Sequence, residues 1–209
     1  MSPRGVAIPD VRERLFAAAE RVLAREGPVG LTGRAITGEA GCAKGLLHAH
    51  FTGLDEFVAE LVLDRFARTA RQAGELAGRA GQATVTENIV TVALALLTSA
   101  GPTVAGLALT RPTAATRVRQ ALEAGAPGFT AIQDSITAYL DAEQRLGRLA
   151  DGADTTSLAL AVVGTVHHLL MTSWAGAPDP RDQVERLVAL LAGAAGADPN
   201  GTAATQDPS

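Results

Sequence analysis

Apolar residues return every three or four positions along most of this chain, and where the rhythm stops a glycine or a proline stands at the break. No stretch alternates apolar and polar residues for long enough to argue for a strand, so the sequence predicts an all-α fold. After three N-terminal helices, further helices are expected at about 55–78, 84–100, 103–110, 113–124, 127–147, 154–175 and 180–195. Gly101-Pro102, Arg111-Pro112, Gly125 to Pro127 and Pro178 to Pro180 mark the breaks between them. In 209 residues only Phe16, Phe51, Phe57, Phe66, Phe129, Tyr139 and Trp174 are aromatic, so the interior must be built from Ala, Leu and Val. From Ala197 onward the chain has nothing to bury, and residues 197–209 are expected to form a disordered tail.

Several function classes drop out on composition and spacing. No apolar run reaches the roughly 18 residues of a spanning helix, and Pro9 and Asp10 ahead of a charged helix do not make a signal peptide, so a soluble, cytoplasmic protein without membrane contact is expected. Cys42 is the only cysteine, which excludes an intramolecular disulfide and a cysteine-based zinc site. His167 and His168 are adjacent and so point about 100° apart on a helix, with no acid one turn away from either. Glu-x-x-His pairs and a glycine-rich nucleophile elbow are also missing, and the expectation is no metal, no cofactor and no enzyme.

The N-terminal fifty residues carry the informative pattern. Asp10 and Glu13 form a capping-box arrangement ahead of Val11, Leu15, Ala18, Ala19, Val22 and Leu23, which recur at helical spacing until Gly27 and Pro28. A short second helix follows Leu31, with Thr32 as candidate N-cap and Ile36 and Ala40 one turn apart, and Gly41 stops it. A third short helix runs through Leu46, Leu47 and Phe51, before Asp55 and Glu56 open a longer fourth one. Two short helices joined by a turn of about four residues make a helix-turn-helix, although an ordinary helical hairpin has the same spacing. The inward side is apolar, from Ile36, Ala40, Cys42, Leu47 and Phe51. Small or polar Ala43, Lys44, Gly45 and His48 point outward, as a helix that lies in a major groove requires. The charge agrees: residues 1–50 carry a net +2 in a chain of net −4, and the sole lysine, Lys44, falls inside this segment.

The run Ala40-Gly41-Cys42-Ala43-Lys44-Gly45-Leu46-Leu47-His48-Ala49-His50-Phe51, followed by Asp55-Glu56-Phe57, resembles the DNA-reading signature of the TetR/AcrR family of transcriptional regulators. About residues 10–66 carry the likeness. It implies a DNA-binding domain over 1–54 and a larger helical regulatory and dimerisation domain over 55–196. It further implies that Thr32 and Arg34 touch the DNA backbone, that Ala43, Lys44, Gly45, Leu46 and His48 face the groove, and that Thr52 meets the flanking phosphate. His50 stands at the family's histidine position, where it either packs the helix end or contacts phosphate. Where the family has Val-Ser this chain has Cys42-Ala43, and it thereby loses a hydroxyl cap; Leu54 stands where a lysine is common.

By the same resemblance the partners are a near-palindromic double-stranded DNA operator and a second copy of the chain, with a small apolar ligand that releases a repressor from DNA. The subunit contact is expected on the last two long helices, through Ser157, Leu158, Ala161, Val162, Thr165, Leu169, Leu187, Leu190 and Leu191. For the ligand, His167, Met171 and Trp174 recur at i, i+4 and i+7 on one helix face, and Phe129 and Tyr139 are candidates for the opposite wall. The competing reading of that face is simple core or dimer packing. At the level of function, the alternative is a helical small-molecule-binding protein with a non-functional helix-turn-helix.

Overall fold

The computed structural model describes residues 11–98, 106–108, 110–172 and 179–196, all helix and turn with no strand among them. Asp10, most of the helix expected over 103–110, Trp174 and the expected tail 197–209 lie outside the described residues, as does the side chain of Met171. Nine α-helices carry element names here: α1 Val11–Gly30, α2 Gly33–Glu39, α3 Leu46–His50, α4 Leu54–Gly74, α5 Val85–Thr98, α6 Pro112–Glu123, α7 Phe129–Arg145, α8 Thr155–Thr172 and α9 Pro180–Ala194. A 3₁₀ turn, Glu75–Arg79, continues α4, where the sequence suggested one helix to about residue 78. Residues 106–108 are also helical.

The described residues gather into two compact units. The smaller comprises residues up to Val62 together with those of 106–120, and the larger takes up the remainder. Helices α4 and α6 each run from one into the other. In the smaller unit, α1 buries Leu15, Phe16, Ala18, Ala19, Val22 and Leu23, the stripe that its periodicity marked. Gly27 breaks the helix at φ 68°, a left-handed conformation that costs a residue with a Cβ and that leaves Pro28 to start a further turn.

In the larger unit, α7 packs along α8, and α5 lies against α8 and α9. Their shared core holds Val85, Ile89, Ile132, Ile136, Val162, Val166 and Val188, all aliphatic as the composition required. Val162 and Leu169, expected at a subunit contact, are instead 3% and 6% exposed inside this core. Packing decides it: the neighbouring helices take the side of α8 that carries Ala159, Val162, Val163 and Val166, and Leu160, about 100° round from Ala159, is left 56% exposed. On α9 packing likewise turns Val184 and Val188 inward and leaves Leu190 70% exposed.

One polar cluster interrupts the core. Tyr139, Glu143 and Arg148 are all but inaccessible to solvent. Asn88 donates to the Tyr139 hydroxyl at 2.9 Å and to the Gln82 carbonyl at 2.7 Å. Glu143 pairs with Arg148 at 3.4 Å and accepts from the Gly81 amide, while Arg148 donates to the Ala83 carbonyl. The cluster thus fixes the turn between the 3₁₀ segment and α5, where Ala83 takes a positive φ of 50°. Burial beside Glu143 pushes the Tyr139 phenol up from its ordinary value, so it stays protonated as a donor.

A buried ion pair loses far more when one partner goes than when both do. Glu143→Ala should therefore lower unfolding free energy by about 3–5 kcal/mol in urea titration. The double variant Glu143→Leu with Arg148→Met should recover most of that loss.

Candidate nucleic-acid interface

The helix-turn-helix is assembled from local rules. Thr32 caps α2, its Oγ1 accepting the Ala35 amide at 3.1 Å, a bond of a kind worth about 1 kcal/mol. At the other end the Cys42 amide donates to the Thr37 carbonyl at 3.0 Å and the Gly41 amide to that of Gly38 at 3.1 Å, the paired bonds of a Schellman turn. Gly41 takes φ 62°, which is why a glycine stands there. Arg14 on α1 donates to the Ala40 carbonyl at 2.9 Å and so satisfies one more orphan group at this helix end.

Helix α3 has only five residues, and its N-cap is Gly45, two residues beyond the Ala43 at which the sequence reading placed the lost cap, with no side chain to cap it. Alone it would be marginal. What holds it is Phe51, whose ring lies 5.9 Å from Phe16 on α1 and 5.0 Å from Phe57 on α4, with Phe16 and Phe57 themselves 5.4 Å apart. Leu47 and Ile36 fill the space beneath, both almost fully buried. Arg12 stacks its guanidinium 4.7 Å above the Phe51 ring and pairs with Glu60.

Of the residues expected to face DNA, Thr32, Arg34, Ala43, Lys44, Gly45, His48, His50 and Thr52 are exposed, and Leu46 is half-buried. Cys42 is half-buried with its Sγ 3.6 Å from the Thr37 carbonyl, the place of a small apolar side chain. His50 stands at the surface with its ring 6.5 Å from that of Phe51. The arginines of α1 are engaged: Arg21 and Arg25 both bind Glu39, at 2.7 and 3.0 Å. Among the described residues 11–53, Arg34 and Lys44 are the arginine and lysine side chains with neither an ion pair nor a hydrogen bond; Arg14, in no ion pair, is held by the Ala40 carbonyl. Arg34 and Lys44 both lie on the expected DNA face.

Thr52 has a second commitment. Its amide and its hydroxyl both donate to the Glu56 carboxylate, the hydroxyl at 2.6 Å, so the α3–α4 corner is closed by one side chain. These bonds, followed by the charges of Arg117 and Arg12, hold the Glu56 carboxyl below the usual range. In the sequence Asp55 and Glu56 are acids at a helix start and part of the family likeness, with nothing to show what they pair with. Their partners Arg111 and Arg117 lie 56 and 61 positions away, beyond any local pattern.

The candidate ligand residues divide. Phe129 packs its ring edge-on against His167 at 5.2 Å and against Phe66 at 5.2 Å, so the structure joins two of the expected residues and adds a third. Tyr139 does not join them. It lies ten residues, or about 15 Å, further along α7 and is sealed in the polar cluster, which corrects its placement on a ligand wall. Two grooves open in the larger unit. One is apolar, lined among others by Ile89, Leu158, Val162 and Leu191, and the other is mixed, with Thr69, Gln72, Arg79 and Thr91. Neither is lined by Phe129, Tyr139 or His167.

Residues 15–61 match the family model of bacterial regulatory proteins of the tetR family. No curated protein matches the chain. Solved structures share its fold almost end to end. The fatty acid degradation regulator FadR from Bacillus halodurans is similar at 18% identity over 91% of this chain and 96% of its own, with a TM-score of 0.60. SmeT, the repressor of the Stenotrophomonas maltophilia multidrug efflux pump SmeDEF, gives 19%, 96%, 97% and 0.59. A TetR transcriptional regulator from Streptomyces coelicolor gives 22%, 88%, 97% and 0.54.

The sign of the Glu56 effect follows from its depressed titration. The corner bonds are fully formed above the ordinary carboxyl range near about pH 4.3 and are lost as pH falls through the lower folded value. Thr52→Val, which removes the hydroxyl donor and keeps the amide, should move the Glu56 carboxyl titration upward toward the ordinary range, as read by carbon NMR.

Proposed function

With an N-terminal domain of the TetR type as the premise, we propose that the protein is a sequence-specific DNA-binding transcriptional regulator, a repressor that a small apolar ligand releases from its operator. The observation that carries this is the exposed face of the helix-turn-helix. Its two free cations, Arg34 and Lys44, flank a surface of Ala43, Gly45 and His48 whose small side chains let a helix approach base edges. Thr32 and Arg34 bind the phosphate backbone of one strand, while Lys44, Leu46 and His48 enter the groove and His50 and Thr52 meet the flanking phosphate. Because both Thr52 donors are committed to Glu56, Thr52 meets the phosphate through a water that donates to its hydroxyl oxygen.

One such module reads too few base pairs, so two chains on a near-palindromic site complete the reader. Leu160 and Leu190, with the neighbouring exposed Gly164 and Gly193, offer an apolar surface of small and large residues that suits a second copy. The ligand is assigned to the Phe66, Phe129 and His167 rings, apolar faces with one polar edge for orientation. A ligand acts only through different affinities for the DNA-competent and incompetent states, a coupling commonly of about 1–3 kcal/mol.

In DNA-binding titrations, Lys44→Ala should lower the magnitude of the log K against log salt slope by about 1 per subunit if Lys44 sits on phosphate. If it reads a guanine edge, the loss of about 1–3 kcal/mol should concentrate at one base pair. Unchanged affinity and slope would remove Lys44 from the interface. Sedimentation at micromolar concentration should give a dimer, and Leu160→Glu with Leu190→Glu a monomer. A monomeric parent chain would refute the two-copy reading.

A further inference from the structure

The Glu56 carboxylate works on two sides at once. Its Oε2 accepts both donors of Thr52, at the corner that follows the recognition helix. The Oε1 faces the Arg117 guanidinium of α6 at 3.4 Å. One residue earlier, Asp55 is gripped by Arg111 at 2.9 Å, immediately before α6 begins. Two arginines six positions apart thus seize adjacent carboxylates in the first turn of α4. Neither arginine lies in the helix-turn-helix.

We propose that Arg117 is a positioning residue for DNA reading: by occupying one oxygen of Glu56 it fixes the carboxylate plane that presents the other oxygen to Thr52, and so sets the exit of α3. The terminal torsion of a glutamate is broad, so two donors gathered on one oxygen leave the carboxylate plane free to swing about it. A cation on the second oxygen stops that swing. Phe51, the anchor of α3, directly precedes Thr52, so play at this corner reaches His48 within about one turn of helix and passes through α3 to Lys44 just before it. As exposed ion pairs contribute little to stability, this contact earns its place through geometry instead. The proposal rests on the DNA-reading role above.

The test uses the full chain and a duplex that it selects from a randomised pool. Arg117→Gln should weaken binding about three- to tenfold, and Arg117→Lys should retain most of the affinity. The salt slope should stay that of the parent chain, because Arg117 touches no phosphate; a slope reduced by about 1 per subunit would make it a direct contact and overturn the proposal. In a Glu56→Gln background, Arg117→Gln should have no further effect. Additive losses, or a parent-like affinity for Arg117→Gln, overturn it, whatever the melting temperatures of the variants. A parent chain that selects no duplex refutes the DNA-reading role itself and this proposal with it. A chain that binds its duplex but ignores Arg117→Gln refutes this proposal alone.

Discussion

The rings of Phe16, Phe51 and Phe57 meet where α1, α3 and α4 converge, and the exposed face of the helix-turn-helix depends on that contact. A five-residue helix makes too few internal hydrogen bonds to repay its own nucleation. Three mutually packed rings supply large apolar burial and about 0.5–1.5 kcal/mol per pair beyond it. Because α3 is held from behind by Leu47 and Phe51, its outer surface is free of structural duty. Ala43, Gly45 and His48 can then be chosen for what they meet outside.

Electrostatics sharpen the same division. Glu39 absorbs Arg21 and Arg25, Glu60 takes Arg12, and Ala40 receives Arg14 through its carbonyl. The basic residues of α1 therefore act as struts, and the free positive charge falls at Arg34 and Lys44. A count of charges over residues 1–50 hints at a basic module but cannot say which cations are available. In the larger unit, charge is used differently: Glu143 and Arg148 are buried to pin a turn, a costly arrangement tolerated because hydrogen bonds from Gly81 and to Ala83 share the load.

Much of the candidate site was legible locally. Thr32 as a cap, Gly41 as a left-handed stop and the inward set of Ile36, Leu47 and Phe51 all depend on neighbours within a few residues. Where the reading missed, the partners were distant in sequence. Phe66 beside Phe129, the arginines that hold Asp55 and Glu56, and Asn88 against Tyr139 join positions tens of residues apart. Tyr139 shows the cost of such a gap. Its aromatic bulk suggested a ligand wall, yet a single amide from α5 turns it into a buried hydrogen-bonded core residue.

By itself, the sequence determined the all-helical architecture, the helix-turn-helix and the exposed character of its outer face. These follow from periodicity, capping and backbone conformation, which act over one or two turns of chain. Only the tertiary structure decided which face of α8 is core, with Val162 and Leu169 inside and Leu160 outside. Apolar residues nearly encircle that helix, so period alone leaves the choice of inward side open until α5, α7 and α9 pack against it. The same holds for the free cations, since an arginine becomes a strut or stays open to solvent according to the carboxylate that folding brings beside it.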